Sequence, residues 1–308
     1  MAEAVADQAL LRIGTRGSAL ARYQATRVQA RLEAAYPDIR FEQLLISTQG
    51  DRDKKTPLTI LGGQGIFVKE LQRALIEGEV DCAVHSLKDL PSRTPDELTL
   101  IAVAERDDPR DVLISSHYRG FDELPEGGRV GTSSRRRMAQ IRRLRPDLET
   151  VELRGNIDTR MSKVLEGSEE RYDAAVLAAA GVLRMGWGDR IAEYLSVDDF
   201  IPAPGQAALG IECRAGDDRA GHLLAGIQDP EVATTTAAER AFLAAIGAGC
   251  RSPVGAYATL EADQVTLRAM VADESLKRIE VARVSGGPSQ INSLAAELAV
   301  EMLAAVES

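Results

Sequence analysis

The sequence predicts an α/β protein that ends in a smaller domain with an antiparallel sheet. Strand-like apolar runs alternate with helical runs over roughly the first 90 residues, and the alternation starts again near residue 110. Alternation of this kind is typical of βα units that build a largely parallel sheet. From about residue 230, a helical run precedes three strands with alternating apolar residues and a closing helix. This last pattern predicts a small α/β domain with an antiparallel sheet.

The first block contains three predicted strands and two predicted helices. The strands are LLRIGT, IRFEQLLIST and VDCAVHSL, and the helices are GSALARYQATRVQARLEAAY and IFVKELQRALIEG. Residues 50–65, which carry charge, one proline and four glycines, separate the second strand from the second helix. This composition predicts a mobile loop or lid.

The second block repeats this pattern. Its strands are DVLISS, GRVGT, TVELR and YDAAVLAAAG, and its helices run from Ser134 to Arg145 and from Ile157 onward. Ser133 or Ser134 can cap the first of these helices, whose exposed N–H groups also favour an anion.

A proline-rich passage then leads into a further strand, in FIPAPGQAALGIECR, and suggests a crossing between domains. The C-terminal part consists of a helix VATTTAAERAFLAAIG, the strands YATLEA, QVTLRAMVA and KRIEVARVSG, and a helix from Ser293 to Val306.

Composition argues against several classes of protein. The 308 residues predict two or three domains. No apolar run approaches the ~20 residues of a membrane span, and the first residues lack the pattern of a secretory signal, so we expect a cytoplasmic protein that binds no membrane. Three cysteines without metal-like spacing and only three histidines argue against a metal site, and Cys82 and Cys213 are expected to be core thiols. The net charge of −10 opposes general nucleic-acid binding.

The run VHSLKDLPS, residues 84–92, places Lys88 beside Asp89 directly after an apolar strand. Open α/β sheets bind ligands at the edge formed by the carboxyl ends of their strands. The adjacent pair is therefore a candidate acid/base site. From local pattern alone, the alternative is a solvated ion pair at the start of a loop.

Residues 129–145, RVGTSSRRRMAQIRRLR, hold seven arginines and no acidic residue. A guanidinium group binds carboxylate or phosphate bidentately, so the segment predicts an anion site. A solvated helix face and a nucleic-acid patch are the alternatives. Aromatic residues make up 4% of the chain and none lies in this segment, which disfavours stacking on bases.

Eight motifs, spread over nearly the whole chain, follow one another in a defined order. They are RIGTRGSALARYQA, GGQGIFVKEL, VDCAVHSLKDLPS, GTSSRRRMAQIRRLRP, LRGNIDTRMSKV, AAAGVLRMGW, IPAPGQAALGIECR and GAGCRSPVGAYA. In these motifs and in their order, the sequence resembles the porphobilinogen deaminase (hydroxymethylbilane synthase) family. The resemblance implies two lobes like those of type II periplasmic binding proteins, with the active site in the cleft between them. It implies domain 1 at residues 1–106 and 207–226, domain 2 at 107–206 and a small domain 3 at 227–308.

By this resemblance, the chain joins four porphobilinogen units head to tail into 1-hydroxymethylbilane, releasing ammonia at each step, in tetrapyrrole (haem) biosynthesis. The family's cofactor is a dipyrromethane bound covalently to a cysteine, and Cys250 in GAGCRSPVG matches that position. Gly247 and Gly249 would let the backbone carry the thiol into the cleft, and Arg251 would favour the reactive thiolate. The family also implies a monomer whose partners are porphobilinogen and the growing polypyrrole chain.

The family's pattern assigns roles to individual residues of this sequence. Asp89 matches the catalytic aspartate, and Lys88 is expected to orient or bind substrate. Cofactor binding is implied for Lys88, Asp89, Ser134, Arg136, Arg137, Arg154 and Arg160. Substrate binding is implied for Arg16, Ser18, Arg184, Phe67 and Gln206. For Arg16 and Arg184 the alternative is a salt bridge between lobes, and Arg142, Arg143 and Arg145 are expected to face solvent.

The substrate's chemistry accounts for these residue types. Positive charge develops on pyrrole nitrogen when porphobilinogen loses ammonia and again when the last pyrrole of the chain attacks the resulting electrophile. A carboxylate within hydrogen-bond reach stabilises that charge and assists proton transfer, which is the role expected of Asp89. Each porphobilinogen carries an acetate and a propionate, and arginines offset the repulsion among these groups.

Three positions depart from the family's usual pattern. Gln64 and Ile60 stand in the loop where lysines are usual, so a lid contact with substrate carboxylates is not implied here. Arg135 stands where leucine is usual. A small-anion binding module without enzymatic activity would share the two-lobed architecture, but it would not need a cysteine in a glycine-rich third domain.

Overall fold

The computed structural model describes residues 10–47, 66–247 and 253–307. The chain forms two compact units: unit 1 is Met1–Arg106 with Ala208–Ala233, and unit 2 is Asp107–Ala207 with Thr234–Ser308. The three-domain boundaries implied by the resemblance stay a prediction. The predicted loop at residues 50–65, with Ile60 and Gln64, lies outside the described residues.

Thirteen strands occur in the described ranges. In chain order they are β1 Leu10–Arg16, β2 Arg40–Ile46, β3 Cys82–Ser86, β4 Leu98–Arg106, β5 Asp111–Ile114, β6 Arg129–Gly131, β7 Glu149–Val151, β8 Ala174–Ala178, β9 Glu193–Tyr194, β10 Ala208–Arg214, β11 Val254–Glu261, β12 Gln264–Ala272 and β13 Ile279–Gly286. All but β4 and β9 overlap runs that the sequence predicts as strands.

Eight α-helices occur in the same ranges. They are α1 Ala19–Ala35, α2 Ile66–Ile76, α3 Arg135–Leu144, α4 Ile157–Leu165, α5 Ala179–Arg184, α6 Asp218–Ala225, α7 Pro230–Ile246 and α8 Ile291–Glu307. A short 3-10 turn, Leu87–Asp89, follows β3. In the part of the chain that the structure describes, no helix has the length and hydropathy needed to cross a membrane.

Unit 1 contains a five-stranded sheet with the strand order β2-β1-β3-β10-β4. β1 pairs in parallel with β2 and β3, whereas β10 pairs antiparallel with β3 and β4. Alternation along β3 sends side chains to both faces of the sheet. Cys82 and Val84 join a buried cluster with Val28 of α1, and Ala83 joins another with Leu71 of α2.

Unit 2 contains a second five-stranded sheet, with the order β7-β6-β8-β5-β9. β6 pairs in parallel with β7 and β8, and β5 pairs antiparallel with β8 and β9. The two sheets thus share one topology. Four of the five strands in each sheet run in one direction, which agrees with the prediction of largely parallel sheets, but one reversed strand makes half of the strand pairs antiparallel. The reversed strand, β10 or β5, is fourth in the order of its sheet and is the strand with which the chain enters from the other unit. No crossover helix within the unit precedes it, so it is not constrained to run parallel.

The C-terminal part of unit 2 forms a three-stranded antiparallel sheet, β11-β12-β13, as the sequence predicts. The hairpin between β11 and β12 turns at Ala262 and Asp263, whose φ angles of 46° and 63° match a two-residue turn of the type that follows strand twist. Phe242 of α7 and Met302 of α8 are buried against this sheet with Leu267 of β12. This confirms the α/β class with an antiparallel C-terminal sheet.

Candidate active site

Four of the predicted site residues lie at one edge of the sheet in unit 1. Arg16 is the last residue of β1, Ser18 caps α1, and Lys88 and Asp89 lie in the turn after β3. Because β1 and β3 run parallel, their carboxyl ends meet at the same edge. The Ser18 hydroxyl accepts a hydrogen bond from the Ala21 N–H at 3.3 Å and keeps its own proton to donate.

The Asp89 carboxylate is half-buried, and no hydrogen bond or ion pair with any other described residue engages it. Its backbone is fixed by the turn. The Leu90 N–H donates to the Leu87 carbonyl at 3.1 Å, and both leucine side chains are buried in one cluster. A carboxylate with uncommitted oxygens on a fixed backbone is suited to accept hydrogen bonds from a bound N–H group.

Unit 2 brings predicted residues to the equivalent edge of its own sheet. Ser134 caps α3 after β6, and Arg154 follows β7, which runs parallel to β6. The Ser134 hydroxyl accepts a hydrogen bond from the Arg137 N–H at 3.4 Å, which confirms the predicted cap. Ser18 and Ser134 thus hold equivalent places in two sheets of the same topology.

The two arginines at the start of α3 converge on a buried carboxylate that sequence reasoning missed. Asp111, fully buried at the start of β5, lies 2.7 Å from Nη2 of Arg136 and 2.7 Å from Nη2 of Arg137. Arg136 also donates from Nη1 to the Ile201 carbonyl at 2.7 Å. Gln206, itself fully buried, donates from Nε2 to Asp111 at 3.1 Å. Asp111 could have been identified from the sequence, because it is a single acid at the start of an apolar strand in a chain with an arginine-rich segment.

This cluster carries an excess positive charge. Burial would raise the pKa of Asp111, but the charges of Arg136 and Arg137 outweigh burial and hold that pKa at about 2. Two guanidinium groups share the one carboxylate, so one positive charge is left over at the N-terminal end of α3, which itself attracts anions. Binding of cofactor carboxylates by Arg136 and Arg137 stays a prediction. So does a substrate contact of Gln206, whose amide nitrogen is committed to Asp111 and the Pro109 carbonyl.

Arg154 and Arg160 lie on either side of a tight turn at Gly155. Gly155 has a φ of +119°, and a Cβ at this position would lie 2.8 Å from the Thr159 side chain. The Gly155 carbonyl accepts a hydrogen bond from Nε of Arg160 at 2.8 Å, and Nε of Arg154 donates to Glu152 at 2.7 Å. Glycine is therefore required for the turn that spaces the two guanidinium groups. Cofactor binding by either arginine stays a prediction.

Arg184, buried at the end of α5, joins the two ends of the segment Asp107–Ala207. Its Nε donates to Oδ2 of Asp107 at 2.7 Å, and its Nη2 donates to the Ala207 carbonyl at 2.6 Å. This ion pair lies within unit 2. Substrate binding by Arg184 stays a prediction.

The outer arginines of α3 differ from one another. Arg142 and Arg143 are exposed, as expected. The expectation that Arg145 faces solvent is wrong: it donates to two main-chain carbonyls at 3.0 and 2.9 Å and to both carboxylate oxygens of Asp147 at 2.9 and 2.7 Å. The physical reason is that α3 ends before Arg145, so the helical face no longer sets the direction of this side chain.

Cys82 and Cys213 are buried on neighbouring strands, which confirms the expectation of core thiols. Burial raises the pKa of both thiols, to about 11 for Cys213. Cys250 lies outside the described residues, as does the side chain of Phe67, which belongs to α2. No cluster of His, Cys, Asp and Glu that could hold a metal ion occurs within residues 10–47, 66–247 and 253–307.

Comparisons with known proteins cover both groups of predicted site residues, the one at the sheet edge of unit 1 and the one at the sheet edge of unit 2. The profile described as porphobilinogen deaminase, dipyromethane cofactor binding domain, matches residues 11–222, and the profile of the porphobilinogen deaminase C-terminal domain matches residues 233–304. The chain belongs to the porphobilinogen deaminase family. Both predicted edges, with Asp89 and Ser134, lie inside the first match.

Individual relatives agree with this assignment. The porphobilinogen deaminase of Syntrophobacter fumaroxidans is 45% identical over 294 residues, which cover 96% of this chain and 94% of the relative. That of Syntrophus aciditrophicus is 44% identical over 293 residues, with 95% of each chain covered. Among solved structures, the methionine-binding protein MetQ aligns over 76% of this chain and 96% of its own with a TM-score of 0.45 and 12% identity. A likeness at that level supports no conclusion about function.

The residues of unit 2 fit a dipyrromethane, whose acetate and propionate groups bring several carboxylates to one place. The Ser134 hydroxyl, the open N–H groups of α3 and the excess charge of Arg136 and Arg137 are all donors or cations at one helix end. The first turn of α3 contains no acidic residue of its own. Carboxylates form charge-assisted hydrogen bonds with such groups, and these bonds are stronger than hydrogen bonds between neutral groups.

Proposed function

We propose that this chain is a hydroxymethylbilane synthase, a transferase that joins four porphobilinogen molecules head to tail into 1-hydroxymethylbilane and releases ammonia, in tetrapyrrole biosynthesis. The observation that carries the proposal is the match to the dipyrromethane cofactor binding domain over residues 11–222, which includes the uncommitted carboxylate of Asp89. Porphobilinogen and the growing polypyrrole chain are the molecules that this site would bind.

The dipyrromethane, when bound, supplies the terminal pyrrole to which the first substrate is joined. We assign its covalent attachment to Cys250. Gly247, the last described residue before that cysteine's segment, has a φ of +66°, a left-handed conformation that glycine adopts without strain. The cofactor's carboxylates are assigned to Lys88, Ser134, Arg136, Arg137, Arg154 and Arg160.

Asp89 acts on the charge that develops during the reaction. Its carboxylate accepts hydrogen bonds from pyrrole N–H groups, and the interaction strengthens as those nitrogens become positive. Only an interaction that is stronger in the transition state than in the ground state accelerates the reaction. Partial burial strengthens the effect further, because the local dielectric is lower than that of water. Lys88, adjacent to Asp89 in the same turn, orients a substrate carboxylate.

Arg16 and Ser18 lie at the same sheet edge as Asp89, and we assign them to the carboxylates of incoming porphobilinogen. Ser18 offers an O–H donor beside the open N–H groups of α1, and Arg16 offers a charge. Arg184, Phe67 and Gln206 complete the proposed substrate contacts.

The proposal also includes that the protein is a cytoplasmic monomer and that it binds no nucleic acid. The net charge of −10 supports the last point, since a phosphate backbone is repelled by an acidic protein. Size-exclusion chromatography with light scattering tests the monomer, and a mass above that of one chain contradicts it.

The intact mass of protein made in porphobilinogen-producing cells tests the cofactor. We expect a mass above the sequence mass by two porphobilinogen units less the ammonia lost. Cys250→Ser should lack this increment, and Cys213→Ser, which changes a buried core thiol, should keep it. Unmodified protein that forms bilane at the full rate contradicts the covalent cofactor. Loaded protein that forms no bilane from porphobilinogen contradicts the activity.

A further inference from the structure

A buried polar network in unit 1 ends at the turn that carries Asp89. Glu212 of β10 has 0% of its surface exposed, and its Oε2 lies 3.1 Å from Nε2 of His85, which is 5% exposed. Gln72 of α2 donates from Nε2 to both carboxylate oxygens at 3.2 Å. The imidazole of His85 and the amide of Gln72 thus both lie against the carboxylate of Glu212 in the interior, and Gln72 holds that carboxylate by hydrogen bonds.

A second contact holds the opposite face of the same strand end. Gln24 of α1, which is also buried, donates from Nε2 to the Ser86 hydroxyl at 2.8 Å. His85 and Ser86 are the last two residues of β3, and neighbouring residues of a strand face opposite sides of the sheet. Polar contacts therefore hold β3 from both faces immediately before the turn Leu87–Asp89.

β10 also contacts this turn directly. Gly210 is the cross-strand partner of His85, and a Cβ at Gly210 would lie 2.9 Å from Cδ1 of Leu87. Leu87 thus packs on the backbone of β10, two residues from Glu212. The orientation of the turn follows the placement of β3 on β10, which the network between His85 and Glu212 fixes.

We propose that His85, Glu212 and Gln72, together with the contact between Gln24 and Ser86, are positioning residues for Lys88 and Asp89. Tethers on both faces prevent rotation of the strand end about its own axis. The carboxylate of Asp89 has no described side-chain partner, so its direction depends on the backbone of the turn. A buried carboxylate must keep its polar partners, so the network restricts the strand end to arrangements in which Gln72 and His85 stay beside Glu212. The inference rests on the proposed role of Asp89.

Glu212→Gln tests this inference, because it keeps the shape of the side chain and replaces one of the two carboxylate oxygens beside Gln72 and His85 with an amide nitrogen. A matched control is Asp81→Asn, at the residue directly before the first residue of the same strand. Asp81 is also buried, and it pairs with Arg12 at 3.0 Å and Arg214 at 3.3 Å. Both variants should lower the thermal midpoint. Glu212→Gln should also lower kcat about 10-fold with KM within about two-fold, since small misplacements of a reacting group are costly. Asp81→Asn should keep kcat within about two-fold of wild type.

A readout independent of turnover is hydrogen exchange of the backbone amides of residues 84–90 and 92. These amides should exchange faster in Glu212→Gln than in wild type and should be unchanged in Asp81→Asn. If Glu212→Gln does not fold, Ser86→Ala removes the opposite tether and should show the same pattern, and Ser86→Thr, which restores a hydroxyl, should recover part of the rate. Wild-type kcat in Glu212→Gln, or an equal fall in kcat in Asp81→Asn at equal loss of stability, overturns the inference.

A double variant separates this inference from the proposed function. If the network acts through Asp89, Glu212→Gln should slow the wild type but not slow Asp89→Asn further. If Asp89→Asn has a low kcat but Glu212→Gln keeps the wild-type kcat, the positioning role is refuted and the proposed function is left intact. Asp89→Asn at the wild-type rate refutes the proposed role of Asp89 itself.

Discussion

Nη2 of Arg136 lies 2.7 Å from Oδ2 of Asp111, and both side chains are almost completely excluded from solvent. Arg137 binds the other oxygen of the same carboxylate, also at 2.7 Å. Removing one member of a buried ion pair leaves an uncompensated charge, which costs far more than the pair contributes. The cluster is therefore both an obligatory part of the interior of unit 2 and the source of positive charge at the start of α3.

Asp111→Asn should destabilise unit 2 by about 3 to 5 kcal/mol, because it leaves two buried guanidinium groups without a carboxylate. Urea unfolding followed by the fluorescence of Trp187, the single tryptophan of the chain and a residue of unit 2, measures this loss. Asp147→Asn is the control, since Asp147 pairs with Arg145 near the surface and its loss should destabilise the protein much less. If the two substitutions lowered the unfolding free energy equally, burial would not be the reason that the ion pairs of Asp111 matter for stability.

The pKa of Asp111 gives this effect a pH dependence with a defined sign. Its pKa is 3.8 without the protein environment and about 2 in the folded protein, so its stabilising contribution is present above about pH 4 and is lost as the pH falls towards 2. The contribution is about 2 kcal/mol at neutral pH. The difference in unfolding free energy between wild type and Asp111→Asn should be constant from pH 7 to about pH 5 and then shrink. Asp122→Asn, at an exposed carboxylate, is the control, and its effect on the unfolding free energy at pH 7 should be small.

Arg136→Ala and Arg137→Ala should lower the fraction of protein that carries the dipyrromethane mass increment. Each removes charge-assisted hydrogen bonds worth about 1.5 to 3 kcal/mol, which corresponds to roughly 10- to 100-fold in affinity. Arg143→Ala, on the exposed side of the same helix, should load normally. Intact mass after limited exposure to porphobilinogen distinguishes the three proteins, and impaired loading in Arg143→Ala would show that the exposed face of α3 also binds the cofactor.

Gly155→Ala should disturb the turn that spaces Arg154 and Arg160. The added Cβ would lie 2.8 Å from Thr159, and the φ of +119° is strained for any residue with a side chain. Gly167→Ala is a matched control, because its φ of +96° is also positive but no atom lies within 4 Å of the added Cβ. Gly155→Ala should therefore lose more stability than Gly167→Ala and also lose cofactor loading, as measured by thermal midpoint and intact mass. Equal losses would mean that backbone strain alone decides the outcome.

Local patterns in the sequence predict the elements that carry the candidate site. An apolar run followed by Leu-Pro-Ser predicts β3 and the turn with Lys88 and Asp89, and a serine before an arginine-rich helix predicts the cap at Ser134. These features depend on neighbouring residues, so the sequence contains the information needed to find them.

Features that depend on distant residues escape such patterns. The antiparallel direction of β5 and β10 follows from where the chain passes between units, which periodicity does not encode. Asp111 finds its partners 25 and 26 residues further along the chain. Glu212, a carboxylate inside the apolar strand GIEC, offers a usable signal, because a charge in such a run needs a buried partner. The identity of that partner, His85, requires the pairing of β3 with β10.

Asp89→Asn should abolish most of the turnover while the protein still folds and carries its cofactor. The amide keeps the size of the side chain and much of its hydrogen-bonding capacity, but it removes the negative charge that faces the developing pyrrole cation. Loss of such an electrostatic contact commonly costs about 100-fold or more in kcat.

Asp89→Glu, which restores the charge at a shifted position, should retain more activity than the amide, and this order separates charge from shape. Initial rates of bilane formation should be compared only among proteins whose mass shows the dipyrromethane increment, so that cofactor assembly does not confound the result. The half-buried carboxylate has no described partner, so its substitution leaves no buried charge behind and the thermal midpoint should change little. Loaded Asp89→Asn with the wild-type rate would show that another group stabilises the cation, and the mechanism would have to be assigned to a different carboxylate.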